Sequence, residues 1–117
     1  MKNPKSLKKT EEFDRVYKKG KSYANRLLVM YVLPNGSEEN RLGISVSKKV
    51  GNSVKRHHLA RLIRENMRLS EEILRNGFDI VVVARVEARN ADYHQIESAL
   101  MHLAGLHKLR KKESEAG

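Results

Sequence analysis

The chain contains no cysteine among its 117 residues. Disulfides, zinc–thiolate sites and thiol nucleophiles are excluded together, a composition compatible with a reducing cytosol. Aromatics are few, with no Trp, two Phe and four Tyr, so a small core built mainly from Val, Ile and Leu is expected. No apolar run approaches the ~18–20 residues of a membrane span. The lysine-dotted N-terminus also lacks the apolar stretch of a signal peptide. Cytoplasm is the expected location, with no membrane partner. The length suits a single domain over residues 1–117 and is too short for two ordinary ones.

A catalytic constellation is missing as well. Of five histidines, His57 and His58 are adjacent and cannot share a helix face. His94, His102 and His107 lack metal-ligand spacing such as i, i+4 with a nearby carboxylate. The carboxylates are scattered, and none is paired in an expected cleft. Val50-Gly51-Asn52-Ser53 has one glycine and no Gly-Lys-Ser/Thr, a weak signal for a nucleotide. It is a fair one for a backbone phosphate at a helix N-terminus. No catalytic side chain and no protein metal site are expected.

What the chain has in excess is positive charge, and that charge is segregated. The net charge is +10, with 17 Lys/Arg against 6 Asp/Glu in residues 1–68 and 7 against 8 in residues 69–117. An uneven basic footprint of this kind suits a phosphate-bearing partner. Its densest part is Lys48 to Arg68, a Gly-containing turn running into a helix. Val54, Leu59, Leu62, Ile63 and Met67 fall in one sector at helical spacing, a core-facing stripe. His57, Arg61, Arg64 and Arg68 recur on the opposite face, with only Glu65 as a nearby acid. Like charges one turn apart repel, so the helix is costly alone and favoured against a polyanion.

In chain order, Met1 to Lys9 reads as a mobile basic arm. Thr10 is the expected N-cap of a short helix with Glu11 and Glu12 in its first turn, Lys18 and Lys19 in its last, and Gly20 as its stop. Phe13, Val16 and Tyr17 share one face of it, and packing into the core or exposure in a groove are both open. Leu27 to Leu33 reads as a strand, Pro34 to Ser37 as a turn, and Arg41 to Ser47 as an alternating strand. In the latter, Leu42, Ile44 and Val46 face one side and Gly43, Ser45 and Ser47 the other. A hairpin between these two strands is the economical pairing. The basic helix follows over about Ser53–Leu69, capped by Asn52 or Ser53, and Ser70 to Gly77 continues or restarts it. Phe78 to Arg85, the most apolar run, is the expected central strand. Asp92 and Gln95 form a capping box for a last helix with Ile96, Ala99, Leu100, Leu103 and Leu106 on its apolar face. Residues 108–117 are expected to be frayed. The order α-β-β-α-β-α predicts an α+β fold, helices on a small mixed sheet.

Ser45-Val-Ser-Lys-Lys-Val-Gly-Asn-Ser-Val-Lys-Arg56, followed by Leu59-x-Arg-Leu-Ile-Arg-Glu65, closely resembles the protein subunit of bacterial ribonuclease P. The likeness extends through Phe13-x-x-Val-Tyr-x-x-Gly20, Ala24-Asn-Arg-x-x-Val29 with Tyr31, Arg41-x-Gly-Ile-Ser-Val-Ser47 and Asp79-Ile-Val-Val-Val-Ala-Arg85, roughly residues 7–107. It implies an α-β-β-α-β-α domain with a left-handed βαβ crossover, where general rules favour a right-handed one. It also implies a subunit of an endoribonuclease whose catalytic RNA removes the 5′ leader of precursor tRNA, with magnesium serving the RNA. Matching positions are Lys48, Lys49, Asn52, Lys55, Arg56, His57, Arg61, Arg64 and Arg68 for RNA binding. Phe13, Tyr17 and Tyr31 match the leader cleft. Arg56-His57-His58 stands where the family usually has Arg-Asn-Arg. Arg56 carries over, while a neutral imidazole donates one hydrogen bond and offers no guanidinium fork.

The implied partners are the catalytic RNA and precursor tRNA. A ribosomal-type protein bracing folded RNA fits the composition equally but has no need of an aromatic cleft. A DNA-binding regulator is disfavoured because no short partner helix precedes the basic one. A protein-only nuclease is disfavoured by the lack of clustered acids.

Overall fold

The computed structural model describes residues 5–112, and its three layers follow from the two faces of one sheet. In chain order the elements are β1 (Lys5–Ser6), α1 (Thr10–Lys19), β2 (Lys21–Ala24), β3 (Leu28–Pro34), β4 (Arg41–Ser45), α2 (Ser53–Leu69), β5 (Phe78–Ala84) and α3 (Tyr93–Leu106), with short 3-10 turns at Glu71–Ile73 and Val86–Ala88. The strands are ordered β1-β4-β5-β3-β2. Leu28, Met30, Val32, Leu42, Ile80, Val82 and Ala84 point to one side, where Leu59 and Ile63 of α2 and Ile96, Leu100 and Leu103 of α3 cover them. The alternate residues point to the other side. There Val16 of α1 meets Val81, with Leu7, Phe13, Tyr31 and Leu33 around it.

The expected α+β class and the central position of β5 are both observed. The expected hairpin is not. β3 and β4 do not pair: β5 lies between them, antiparallel to β3 and parallel to β4. Phe78-Asp-Ile-Val-Val-Val-Ala84 is buried over most of its length, so inserting it removes far more apolar surface from water than a two-stranded hairpin would. The parallel β4–β5 pair is joined through α2, which gives the crossover unit. On its other edge β3 pairs antiparallel with β2, a strand absent from the expected element order. Its residues Lys21-Ser-Tyr-Ala24 carry little apolar signal, and neighbouring backbone supplies what the side chains do not.

The described residues near each terminus, 5–9 and 108–112, are more ordered than expected. Lys5 and Ser6 pair in parallel with Arg41 and Leu42, and Leu7 is buried. The mobile-arm expectation therefore fails for residues 5–9, and Met1 to Pro4 lie outside the described residues. Leu109 is buried too, and Arg75 N–H donates to its carbonyl at 2.7 Å while Lys111 N–H donates to Ile73 at 2.8 Å. One buried leucine and two backbone bonds hold residues 108–112 against the turn after α2. The rest of the expected frayed tail, 113–117, lies outside the described residues.

Smaller corrections share a cause in local geometry. Lys9, not Thr10, is the N-cap of α1, and the Glu12 carboxylate accepts the Lys8 and Lys9 N–H groups at 3.0 and 2.9 Å. β4 stops at Ser45, because the chain turns at Ser47–Val50 to bury Val50. Val54 is 75% exposed rather than part of the core stripe, since α2 reaches the sheet only from Leu59 onward. Leu106 is exposed at the end of α3. After α2 the chain restarts as the 3-10 turn at Glu71–Ile73. The Asp92–Gln95 capping box is present, with Gln95 N–H donating to Asp92 at 2.8 Å.

His107 ties α3 to the sheet. Its Nε2 donates to the Met30 carbonyl at 2.8 Å, and its ring stands edge-on to Tyr23. Burial pushes its pKa below the ordinary histidine value, opposed by the Met30 bond and assisted by Lys21. The folded chain therefore binds fewer protons than the unfolded chain just below pH 6.5, and stability falls as pH drops from there through the folded value. In His107→Gln, unfolding by denaturant at several pH values should show a shallower slope of stability between about pH 6.5 and 5. Equal slopes in the two proteins would remove His107 as the cause.

Candidate nucleic-acid interface

The α1-facing side of the sheet is a set of three rows running across β4, β5 and β3. Register places Arg41, Asp79 and Leu33 in the first, Gly43, Val81 and Tyr31 in the second, and Ser45, Val83 and Val29 in the third. The first is polar and closed, the second carries α1, and the third consists of half-buried residues. Gly43 is required by the second: a Cβ there would stand 2.7 Å from two ring atoms of Phe13. The Gly/Ser side of β4 thus receives one aromatic ring at Gly43 and leaves Ser45 partly open.

The three expected cleft residues come together on this side. The Tyr17 and Tyr31 rings lie 4.9 Å apart, edge to face, and Phe13 is 6.4 Å from Tyr17. Phe13 and Tyr31 are half-buried, whereas Tyr17 is 36% exposed. The choice left open by the short helix is thereby divided between its residues: Val16 is core, Phe13 is packed, and Tyr17 presents a ring to solvent.

Beyond Ser45 the chain leads directly into the basic segment. Lys48 and Lys49 are exposed on the turn that Val50 anchors. Asn52 caps α2 by accepting the Lys55 N–H at 2.9 Å, which leaves the other N–H groups of the first turn facing outward. The Arg56 guanidinium folds back to the Gly51 carbonyl at 3.0 Å, and the Lys55 ammonium reaches Asn90. These two cations brace the lead-in as well as carrying charge. His57, Arg61 and Arg64 project from the exposed face of α2. Among the described residues no carboxylate lies within ion-pair distance of Arg61 or Arg64.

Arg68 departs from the expected stripe. It is half-buried and its guanidinium pairs with Glu65 one turn earlier, which lowers the Glu65 pKa. Its guanidinium is thus partnered within α2 itself.

Sequence reading missed a second polar group, at the closed end of the rows. Arg41 donates from Nε and Nη2 to the two oxygens of Asp79 at 2.8 and 2.6 Å, and from Nη1 to Glu12 at 2.7 Å. Asn35 Nδ2 donates to Asp79 Oδ1 at 3.0 Å. Burial alone would raise the Asp79 pKa, but Arg41 and Asn35 together hold it below the usual carboxylate value. The one available signal was an acid at the start of the most apolar strand, where an isolated charge could not be buried unpaired.

The family model for ribonuclease P matches residues 1–108. The ribonuclease P protein component of Lachnoclostridium phytofermentans is 60% identical over 104 residues, covering 89% of this chain and 90% of that protein. The structure of the Staphylococcus aureus RNase P protein superposes with a TM-score of 0.84 at 41% identity, covering 91% of this chain and 97% of that one. The RNase P protein of Thermotoga maritima gives 0.79 at 32% identity, covering 85% and 94% respectively. Sheet order, helix placement and the basic lead-in therefore sit on a known scaffold, and the ribosomal-type alternative drops out. The chain belongs to the ribonuclease P protein family, RNA-binding subunits of the endoribonuclease that matures the 5′ end of tRNA.

Proposed function

We propose that the two surfaces described above divide the RNA contacts of the holoenzyme between them. The exposed face of α2 and its lead-in, with Lys48, Lys49, Asn52, Lys55, Arg56, His57, Arg61 and Arg64, binds the catalytic RNA. The groove lined by Phe13, Tyr17 and Tyr31 takes the single-stranded 5′ leader of precursor tRNA. The observation that carries this reading is the exposed edge of the Tyr17–Tyr31 pair, on the sheet side that runs toward Lys48 and Lys49. Bases stack on such rings without regard to sequence while a basic track holds the backbone. His57 contributes hydrogen bonding where a guanidinium would contribute fixed charge. Arg68 is left out of this set because Glu65 already holds it.

Magnesium serves the catalytic RNA in this reading, and no protein carboxylate group is assigned to it. Among the described residues no helix is long and apolar enough to cross a membrane, and we place the holoenzyme in the cytoplasm. The direct test is precursor tRNA cleavage by the catalytic RNA at low magnesium, with and without this protein. Stimulation by the protein is expected, and no stimulation would overturn the assignment.

Arg61→Ala and Arg64→Ala test the α2 surface. Each side chain is exposed, so folding stability should change by no more than about 0.5 kcal/mol. Loss of one phosphate contact should make the log–log salt dependence of RNA binding shallower by about one unit. An unchanged slope in both variants would place the binding surface elsewhere.

A further inference from the structure

Helix α1 carries the aromatics of the groove, yet little of it is buried. It has ten residues, of which Val16 alone is buried, and a helix of that length is not stable by itself. Its seat on the sheet must come from a few specific ties. Phe13 supplies one by filling the space over Gly43. Glu12, the preceding residue, supplies another. One of its oxygens closes the start of the helix through the Lys8 and Lys9 N–H groups, and the other accepts Arg41 Nη1 at 2.7 Å.

Arg41 is held just as firmly on its other side. Two of its donors fork onto Asp79, which is 1% exposed and lies on the central strand. A planar guanidinium can meet a carboxylate with two parallel bonds and still offer a further donor, whereas an ammonium cannot reproduce that fork. Arg41 stands at the closed end of the rows and faces α1, away from the cationic face of α2.

We propose that Arg41 is a positioning residue for leader binding: by joining Glu12 of α1 to Asp79 of β5, it sets where Phe13 and Tyr17 stand over the sheet. The inference rests on the reading of that groove as the leader track. Arg41 does not touch the leader. It acts through α1, and the ionic tie at Glu12 and the steric fit at Gly43 together fix both the height and the rotation of the helix.

The test uses the reconstituted holoenzyme with Glu12→Gln and Arg41→Lys. Gln can still accept the Lys8 and Lys9 N–H groups but carries no charge toward Arg41. Lys keeps a charge beside Asp79 and cannot serve both carboxylates. Each variant should raise the dissociation constant for precursor tRNA about 3–10-fold. Affinity for mature tRNA and for the catalytic RNA should stay at the wild-type value. In a Tyr17→Ala background, Glu12→Gln should add less than about 2-fold, because Tyr17 is the exposed ring of the two and changes acting mainly through it are not additive. Amide hydrogen exchange in α1 should quicken about tenfold or more while α2 and α3 are unaffected.

A full Glu12→Gln effect in the Tyr17→Ala background would overturn the proposal. So would equal weakening of precursor and mature tRNA, or unchanged exchange in α1. If Tyr17→Ala by itself left precursor binding intact, the leader-track reading would be the part that failed. Exchange in α1 would then decide separately whether Arg41 seats the helix.

Discussion

Tyr17→Ala is expected to weaken precursor tRNA binding in the holoenzyme by about 1–3 kcal/mol, the range for losing one base-stacking platform. Mature tRNA has no leader and should bind the variant as it binds wild type. The reason lies in how α1 divides its apolar face. Val16 is fully buried against Val81, and Phe13 fills the space over Gly43. Tyr17 is 36% exposed and meets Tyr31 edge to face at 4.9 Å. Removing its ring takes away an exposed surface and its contacts with Tyr31 and Phe13, each worth about 0.5–1.5 kcal/mol, so the domain should remain folded. Direct binding of both RNAs to the variant holoenzyme, with circular dichroism as the folding control, measures the difference. Equal loss for both RNAs, or a variant that unfolds, would make Tyr17 a core residue and remove the main support for the leader track.

Arg41→Met should have the largest effect on stability, a loss of about 3–5 kcal/mol near neutral pH. The variant leaves Asp79 buried in the central strand with Asn35 still donating to it. Arg41 itself is partly exposed, which places the loss toward the lower end of that range. The pH dependence separates this cause from a packing defect. In wild type the Asp79 pKa is held below its unfolded value, so its contribution is present above that value and lost as pH falls through the lowered one. In the variant the burial that raises the pKa remains and the main opposing partner is gone. The stability gap between the two proteins should therefore narrow as pH is lowered from about 7 to 4 in denaturant titrations. Arg41→Met combined with Asp79→Leu should recover most of the loss, because an apolar pair replaces the ion pair without stranding a charge. A gap independent of pH, with no recovery in the double variant, would show that Arg41 stabilises by other means.

The difference between these two residues reflects what can be read along a chain. Tyr17 was accessible to sequence reasoning because Phe13, Val16 and Tyr17 recur at helical spacing within one short segment. The α2 stripe was accessible for the same reason, and His57, Arg61 and Arg64 do stand exposed. Arg68 followed the same spacing and is half-buried, paired with Glu65 on the same helix. Val54 fitted the apolar stripe and is exposed, because spacing defines a face without saying where along its length that face meets the sheet. Arg41, Asp79 and Glu12 carried no periodic signal. Asp79 is 38 residues from Arg41 and Glu12 is 29 residues from it, so only the folded sheet brings them together.

By itself the sequence determined the α+β class, the main helices, the central strand, the segregated cationic segment and, through its motifs, the family. These follow from local patterning: alternation with period two, apolar spacing near 3.6 and charge density are properties of neighbouring residues. Tertiary structure alone decided which strands are neighbours. β5 separates β3 from β4, Leu7 and Leu109 are drawn into the core, and Arg41 is shared between α1 and β5. Strand pairing depends on the apolar area buried by the whole sheet and its helices. The most apolar strand therefore takes the centre, whatever the shortest connection would favour.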